Sequence, residues 1–130
     1  MVIYHMKKKC SIIIKNFEII VKLNSSLTAE KIWNSLPIVS KTNTWGNEIY
    51  FNTSIDVKLE KESKDVVEFG EIVYWPTGKA IAIGFGKTPI SLKDEIRLAS
   101  KCNVWAHTDF DLKKLVTVVR GETITVEKVT

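Results

Sequence analysis

The sequence predicts a mainly β protein, a closed barrel of about eight strands with one short helix. At least eight short segments are rich in β-branched and aromatic residues and are separated by turn residues. By contrast, one segment places apolar residues at helical spacing. An open arrangement of so many short strands would leave sheet edges exposed, and closure into a barrel removes those edges.

The chain is predicted to open with a hairpin and a helix. Residues 10–15 and 17–23 are rich in isoleucine and valine, and Lys15-Asn16 provides a tight connection. Thr28 can cap a helix because its hydroxyl can accept a hydrogen bond from the first turn. Residues 29–36 have apolar residues at helical spacing, Trp33 among them as an expected core residue, and Pro37 ends the helix.

Alternating residues predict the next strands. Between residues 48 and 51, alternation sends Ile49 and Phe51 to one face and Glu48 and Tyr50 to the other. The remaining predicted elements are a strand at 55–59, a charged connection at 60–65, a hairpin of 72–75 and 80–83, a long polar loop over the barrel at 91–101, and strands at 103–107, 115–120 and 123–129.

Two glycines flank an aromatic residue after the central hairpin, in Gly84-Phe85-Gly86. A glycine within a strand usually marks a bulge, a bend or the close approach of another group to the backbone. The pattern therefore predicts a crowded position near Phe85.

Four segments, in order, carry a resemblance to a known family. They are Trp45-Gly46-Asn47-Glu48-Ile49-Tyr50-Phe51, Gly70-Glu71-Ile72-Val73-Tyr74-Trp75-Pro76-Thr77-Gly78, Phe85-Gly86-Lys87-Thr88-Pro89 and Asp94-Glu95-Ile96-Arg97-Leu98-Ala99-Ser100. Together they resemble the small prokaryotic cyclophilin-like barrel family over residues 10 to 128. The resemblance implies a closed β-barrel related to cyclophilin with one short helix, and it implies no settled biochemical role. At Trp105 the chain has a bulky residue where the family pattern is aliphatic.

Length and charge predict one barrel domain at residues 10–130 behind a basic N-terminal tail at residues 1–9. Three lysines of the tail supply most of the net charge of +4, so we expect no basic face for nucleic acid. No apolar run approaches the roughly 20 residues that span a bilayer, and no export signal is evident, so we expect no membrane association. We expect Cys10 and Cys102 to be reduced and partly buried in a cytoplasmic protein.

Familiar catalytic and cofactor motifs are incomplete. Gly86-Lys87-Thr88 resembles the end of a phosphate-binding loop, but Ile81 stands where that loop needs glycine, and Pro89 follows at once. His107, Asp109 and Asp111 lack a second nearby histidine or a cysteine pair, so a polar turn is the better interpretation. We therefore predict no cofactor, no metal and no catalytic residue.

Aromatic residues at the ends and turns of predicted strands suggest a binding site at the rim of the barrel. The candidate ligand-binding residues are Trp75, Phe85, Thr88, Arg97, Glu48 and Trp45. In this hypothesis Phe85 faces Trp75 from the partner strand, and Thr88 and Arg97 provide polar contacts. An alternative for Arg97 is structural, as an ion-pair partner of Glu48 or Glu95 that holds the long loop.

The favoured function is a non-catalytic binding module for a small molecule or a short peptide. A peptidyl-prolyl isomerase is one alternative, but the Phe-His-Arg motif of true cyclophilins is absent, and neither Arg97 nor Arg120 lies in such a motif. An accessory subunit of an amide-metabolising enzyme assembly is another alternative, which rests on analogy of fold.

Overall fold

Ten strands, one α-helix and one 3-10 helix make up residues 8–129, which are the residues that this computed structural model describes. The elements are β1 (Lys9–Ile14), β2 (Phe17–Leu23), α1 (Leu27–Ser35), β3 (Ile38–Lys41), β4 (Asn43–Thr44), β5 (Glu48–Asn52), β6 (Lys64–Val67), β7 (Glu71–Trp75), β8 (Ala80–Gly84), β9 (Ile96–His107), the 3-10 helix (Leu112–Thr117) and β10 (Thr123–Lys128). Neighbouring strands follow the order β3-β10-β1-β2-β9-β7-β8-β5-β4, and β6 pairs with β9. The mainly β, barrel-like fold is confirmed, with more strands and one more helix than predicted.

The barrel closes at Thr42, between the strands that stand at the two ends of this order. β3 pairs with β10 and β4 pairs with β5, so the segment bends at Thr42 from one end of the sheet to the other. The buried Thr42 hydroxyl donates a hydrogen bond to the carbonyl of Val119 (2.8 Å) and accepts one from the backbone N–H of Glu122 (3.0 Å). Ser40 adds a direct link by donating to the carbonyl of Asn52 (2.8 Å).

Strand alternation separates an interior core from an outer face. On β5, Ile49 and Phe51 belong to the main core inside the barrel, as predicted, whereas Tyr50 packs against a smaller cluster on the outer face. The neighbouring strands repeat this pattern. β8 and β7 send Ile81, Ile83, Ile72 and Tyr74 inward and Ala82, Val73 and Trp75 outward.

The first half of β9 covers this outer face. Residues 96–102 pair with β6, and from Asn103 onward β9 pairs with β7 and then with β2. We call β6 together with residues 96–102 the flap. Ile96, Leu98 and Cys102 are buried there in the outer cluster. The predicted loop at 91–101 is therefore wrong from residue 96 onward, because alternate residues of this polar segment are buried against the sheet.

The helix is confirmed, but its cap is Ser26 instead of Thr28. The Ser26 hydroxyl accepts a hydrogen bond from the backbone N–H of Ala29 (3.1 Å). Thr28 is buried within the first turn, where its hydroxyl donates to the carboxylate of Glu60. Trp33 is half-buried and packs against the main core.

Two predicted strands are absent from the described residues, and three short strands were missed. Residues 55–59 form no strand, although Ile55 and Val57 are buried as the alternation predicts. The carbonyl of Ile55 accepts a hydrogen bond from the Tyr74 hydroxyl instead of from a neighbouring strand. The 3-10 helix occupies the start of the predicted strand at 115–120, where Leu115 packs into the core. The missed strands are β3, β4 and β6.

Most of the predicted N-terminal tail lies outside the described residues, and β1 begins at Lys9, one residue before the predicted domain boundary. Within residues 8–129, no helix has both the length and the apolar character needed to cross a bilayer.

Thr42→Val should lower the free energy of unfolding by about 1–3 kcal/mol, because the nearly isosteric valine removes both hydrogen bonds of the buried Thr42 hydroxyl, to the Val119 carbonyl and from the Glu122 N–H. Urea unfolding measures this as a lower midpoint at unchanged slope. The exposed Thr44 provides the control Thr44→Val. Equal midpoints for the two variants would contradict the role of Thr42 in closing the barrel.

Candidate functional site

A cleft of about 250 Å³ lies on the outside of the barrel, between the outer face of β5 and β7 and the flap. We call it the outer cleft. The residues that line it are Trp45, Glu48, Tyr50, Trp75, Leu98, Ala99 and Cys102.

The position of the flap follows from the small outward residues of β8. Ala80, Ala82 and Gly84 alternate with two isoleucines that point into the barrel. A Cβ atom on Gly84 would lie only 2.5 Å from Cγ2 of Ile96, so the flap packs directly on the backbone of β8. The predicted close approach at this glycine is confirmed. Larger residues on β5 and β7 flank this contact and form the walls of the outer cleft.

The indole of Trp75 is held in place from several sides. Its Nε1 donates a hydrogen bond to the Ser100 hydroxyl of the flap (2.6 Å), and its ring meets Tyr50 edge-to-face at a centroid distance of 6.2 Å. Gly78 lies against the ring, since a Cβ atom there would be 2.4 Å from Trp75 Cε3. This wall of the cleft is therefore formed before any ligand arrives.

Trp45 stands in the tight turn that leads into β5. Its backbone N–H donates to the carbonyl of Glu48 (2.9 Å), and Gly46 between them has a φ of +61°, a left-handed conformation that favours glycine. The turn places the half-buried indole next to Glu48 at the edge of the cleft.

Glu48 is the unusual polar group of the site. It is only 6% exposed, and its Oε1 atom is buried with no hydrogen-bond partner among residues 8–129. Burial raises the pKa of its carboxyl from 4.5 to about 7, because the ionised form loses hydration. Burial also raises the pKa of the Cys102 thiol to about 12, with the negative charge of Glu48 adding to the effect. Near neutral pH the Glu48 carboxyl is therefore partly ionised, whereas the Cys102 thiol stays protonated.

Another cavity, of about 290 Å³, lies beside β2 and contains part of the sequence segment considered for metal binding. His107 and Asp109 are 58% and 87% exposed there, and their side chains approach to 4.0 Å. Across residues 8–129, no three His, Cys, Asp or Glu side chains are grouped in a way that could hold a metal ion. This cavity lacks the buried, unpaired polar atom that distinguishes the outer cleft.

The structure brings three of the six candidate binding residues together: Trp45, Glu48 and Trp75 all line the outer cleft. Phe85 lies elsewhere. Trp75 pairs with Ala80 at one end of the β7–β8 hairpin, and Phe85 follows five residues later, roughly 16 Å along the strand. Phe85 packs against the main core and does not face Trp75.

Thr88 and Arg97 hold the segment that leads into the flap. The buried Thr88 hydroxyl donates to the carbonyl of Arg97. The Arg97 guanidinium forms ion pairs with Glu95 (2.6 Å) and Asp65 (3.4 Å), as its structural interpretation with Glu95 predicts. Ligand contact by Phe85, Thr88 and Arg97 stays a prediction, and the geometry of the cleft does not support it.

Tyr50, Leu98, Ala99 and Cys102 were missed as lining residues. The sequence feature that could have revealed them is the alternation of small and large residues in β8. Small residues on one face of a strand leave space for another element, here the flap, to pack on that face and form the cleft. Trp105, the departure from the family pattern, is fully buried in the main core and does not line the outer cleft.

Comparison with known proteins identifies the fold family. The family model described as Cyclophilin-like matches residues 8–127. Among solved structures, the solution structure of the hypothetical protein AF2241 from Archaeoglobus fulgidus is 42% identical, with 95% of each chain covered and a TM-score of 0.79. The search of curated proteins found no match. The chain belongs to the cyclophilin-like family, which confirms the resemblance drawn from its motifs.

Glu48→Gln should remove a pH-dependent loss of stability. Because the pKa of this carboxyl is 4.5 ordinarily and about 7 in the folded protein, the folded state holds the proton more tightly, and stability falls as pH rises between these values. Relative to wild type, the variant should gain about 2 kcal/mol in the free energy of unfolding between pH 5 and pH 8.

Urea unfolding at the two pH values measures this difference. The matched control is Glu127→Gln, which changes an exposed glutamate on β10 and should follow the wild-type pH dependence. Parallel pH profiles for wild type and Glu48→Gln would show that Glu48 titrates normally.

Proposed function

We propose that the protein is a non-catalytic binding module that takes a small molecule in the outer cleft. The observation that carries this proposal is the convergence of Trp45, Tyr50 and Trp75 with a buried carboxyl on one preformed cavity. Ligand sites are typically concave and mostly apolar with a few placed polar groups. The volume of about 250 Å³ lies just below the range of roughly 300–1,000 Å³ common for such sites, which favours a small molecule over a peptide.

The fixed walls support binding because ordering side chains costs free energy on association. Trp75 is held by Ser100 and Tyr50 in the absence of ligand, so little of this cost remains. An aromatic contact of this kind contributes about 0.5–1.5 kcal/mol beyond the area it buries.

The chemistry of the lining supports a non-catalytic role. Among its residues, the ionisable side chains are Glu48, Tyr50 and Cys102. The pKa of about 12 keeps Cys102 a neutral thiol, which is a poor nucleophile. Glu48 forms no hydrogen bond through Oε1 with residues 8–129, and the lining of the cleft places no histidine, lysine or arginine beside it as a proton-transfer partner.

Trp75→Ala should weaken ligand binding about tenfold while the barrel stays folded, because it removes one wall of the cleft. Native mass spectrometry of the purified protein detects a retained molecule, and ligand-observed NMR with a fragment library measures binding. Trp33→Ala is the matched control, since Trp33 is a half-buried indole on α1 away from the cleft. Equal loss in both variants, or no bound molecule from either source, would refute the proposal.

The isomerase alternative has less support from the geometry. The guanidinium of Arg97 is paired with Glu95 and Asp65, and Arg97 is not among the residues that line the outer cleft. We therefore expect no appreciable acceleration of prolyl isomerisation in a standard peptide assay. A robust rate that falls on Arg97→Lys would reverse the ranking of the two functions.

The accessory-subunit alternative would need an exposed apolar strip on an edge strand. β3, at one end of the sheet order, exposes Val39 to 70%, but Ser40 and Lys41 follow it. This single side chain gives the alternative little support.

We also propose a cytoplasmic location. The supporting observation is that Cys10 and Cys102 are both free and buried, as is usual for cysteines in a reducing compartment.

A further inference from the structure

The negative charge of Glu48 has no counter-ion among residues 8–129. None of the ion pairs in this part of the chain includes Glu48. Gly84 of β8 pairs with Glu48, but β8 carries no charged residue. The guanidinium of Arg97 already forms ion pairs with Glu95 and Asp65. A charge that is buried and unpaired destabilises the folded protein unless a partner arrives.

The hydrogen bonding and charge of Glu48 limit the kind of ligand that can bind beside it. Glu48 lines the cleft, and its Oε1 accepts no hydrogen bond among residues 8–129, so a ligand with an N–H or O–H donor can give the Glu48 carboxyl the partner it lacks. A positively charged donor would also compensate the carboxylate, whereas a carboxylate or phosphate ligand would be repelled.

The aromatic residues of the cleft also favour a positively charged ligand. Trp45, Tyr50 and Trp75 line the cleft, and the lining includes no lysine or arginine. Cations are attracted to the faces of aromatic rings, most strongly to tryptophan. The apolar part of a ligand can rest on Leu98 and Ala99 of the flap.

Resting on the proposed function, we propose that the outer cleft binds a small organic ammonium ion that donates a hydrogen bond to Glu48 and lies against the indoles of Trp45 and Trp75. A primary or secondary ammonium fits better than a quaternary one, because only the former carries an N–H that can be donated to the Glu48 carboxyl. The small volume of the cleft limits the ligand to a short alkyl or single-ring amine.

Binding should depend on pH through Glu48. The ionisable residues that line the cleft with Glu48 are Tyr50 on β5 and Cys102 on the flap. Asp65 of β6 adds negative charge near Cys102. β7 lines the cleft with Trp75, which is not ionisable, and β8 carries no ionisable residue. With the pKa of Glu48 at about 7, the carboxylate fraction rises steeply from pH 5.5 to pH 8.5. Over that interval, affinity for an ammonium ligand should rise by up to about 30-fold.

The test compares three ligands that share a butyl chain: n-butylamine, butyltrimethylammonium and n-butanol. Their dissociation constants come from the NMR shifts of the Trp45 and Trp75 indole N–H groups at pH 5.5 and pH 8.5. We expect n-butylamine to bind tightest at pH 8.5 and to lose this advantage over n-butanol at pH 5.5. An Nα-acetyl-lysine amide arm distinguishes a peptide lysine from a free amine as the source of the ammonium group. Tighter binding of n-butylamine supports a small free amine, whereas tighter binding of the lysine amide would overturn the limit to a small free amine.

Glu48→Gln should abolish both the preference for amine over alcohol and its pH dependence, whereas Glu127→Gln should keep both. The wild-type pH comparison decides the question even if Glu48→Gln fails to fold. Equal affinity for n-butanol and n-butylamine at pH 8.5 would overturn the ammonium class while leaving a binding cleft in place. Failure of every ligand to shift either indole, together with no molecule retained on purification, would overturn the proposed function as well.

Discussion

The contact between the flap and the small outward residues of β8 determines both the course of the chain and the place of the cleft. Gly84 has no room for a Cβ atom beneath Ile96, so the flap rests on the backbone of the barrel. β9 then leaves the flap and enters the barrel between Cys102 and Asn103, where its partner changes from β6 to β7. Because one continuous strand belongs to both layers, the packing of the flap also positions the barrel strand that follows it. The outer cleft is the space that this two-layer arrangement leaves beside the contact.

Asn103 shows how completely the rest of the structure satisfies its buried polar groups. It lies where β9 enters the barrel, and its Nδ2 donates to the Thr28 hydroxyl (3.0 Å) and the Lys58 carbonyl (2.9 Å). Its Oδ1 accepts from the Glu60 N–H (2.8 Å), so one amide ties α1 and the irregular segment after β5 to the barrel. Against this background the unpaired oxygen of Glu48 is an exception within residues 8–129, which it shares with Nε1 of Trp105. Trp105 lies in the main core, whereas Glu48 lines a cavity, and this difference makes Glu48 the functional candidate.

Much of the fold could be predicted because its signals are local. The first hairpin, α1 and the β7–β8 hairpin follow from alternation, helical spacing and turn residues, and the family motifs led to the correct barrel. The flap could not be recognised, since the polar Ser100 and Lys101 interrupt its pattern and its burial depends on distant β8. The same limit applied to the site. Trp45 and Trp75 were chosen as aromatic residues at strand ends and turns, and Glu48 because it lies in a family motif. Avoiding the false pairing of Trp75 with Phe85 required knowledge of hairpin register.

The charge of Glu48 links the stability of the fold to the occupancy of the cleft. A carboxyl with its pKa raised to about 7 is disfavoured in its ionised form by the folded protein, so Glu48 without a counter-ion lowers the stability of the fold as pH rises from 4.5 to about 7. A ligand that binds the folded state alone stabilises it in proportion to the logarithm of its concentration over its dissociation constant. A cation would do so partly by removing the cost of the buried carboxylate, which is a gain that a neutral ligand does not have. A glutamine at this position would avoid the cost of the charge but would lose the attraction for a cation, so the proposed cation binding and the stability of the fold make opposite demands on this position.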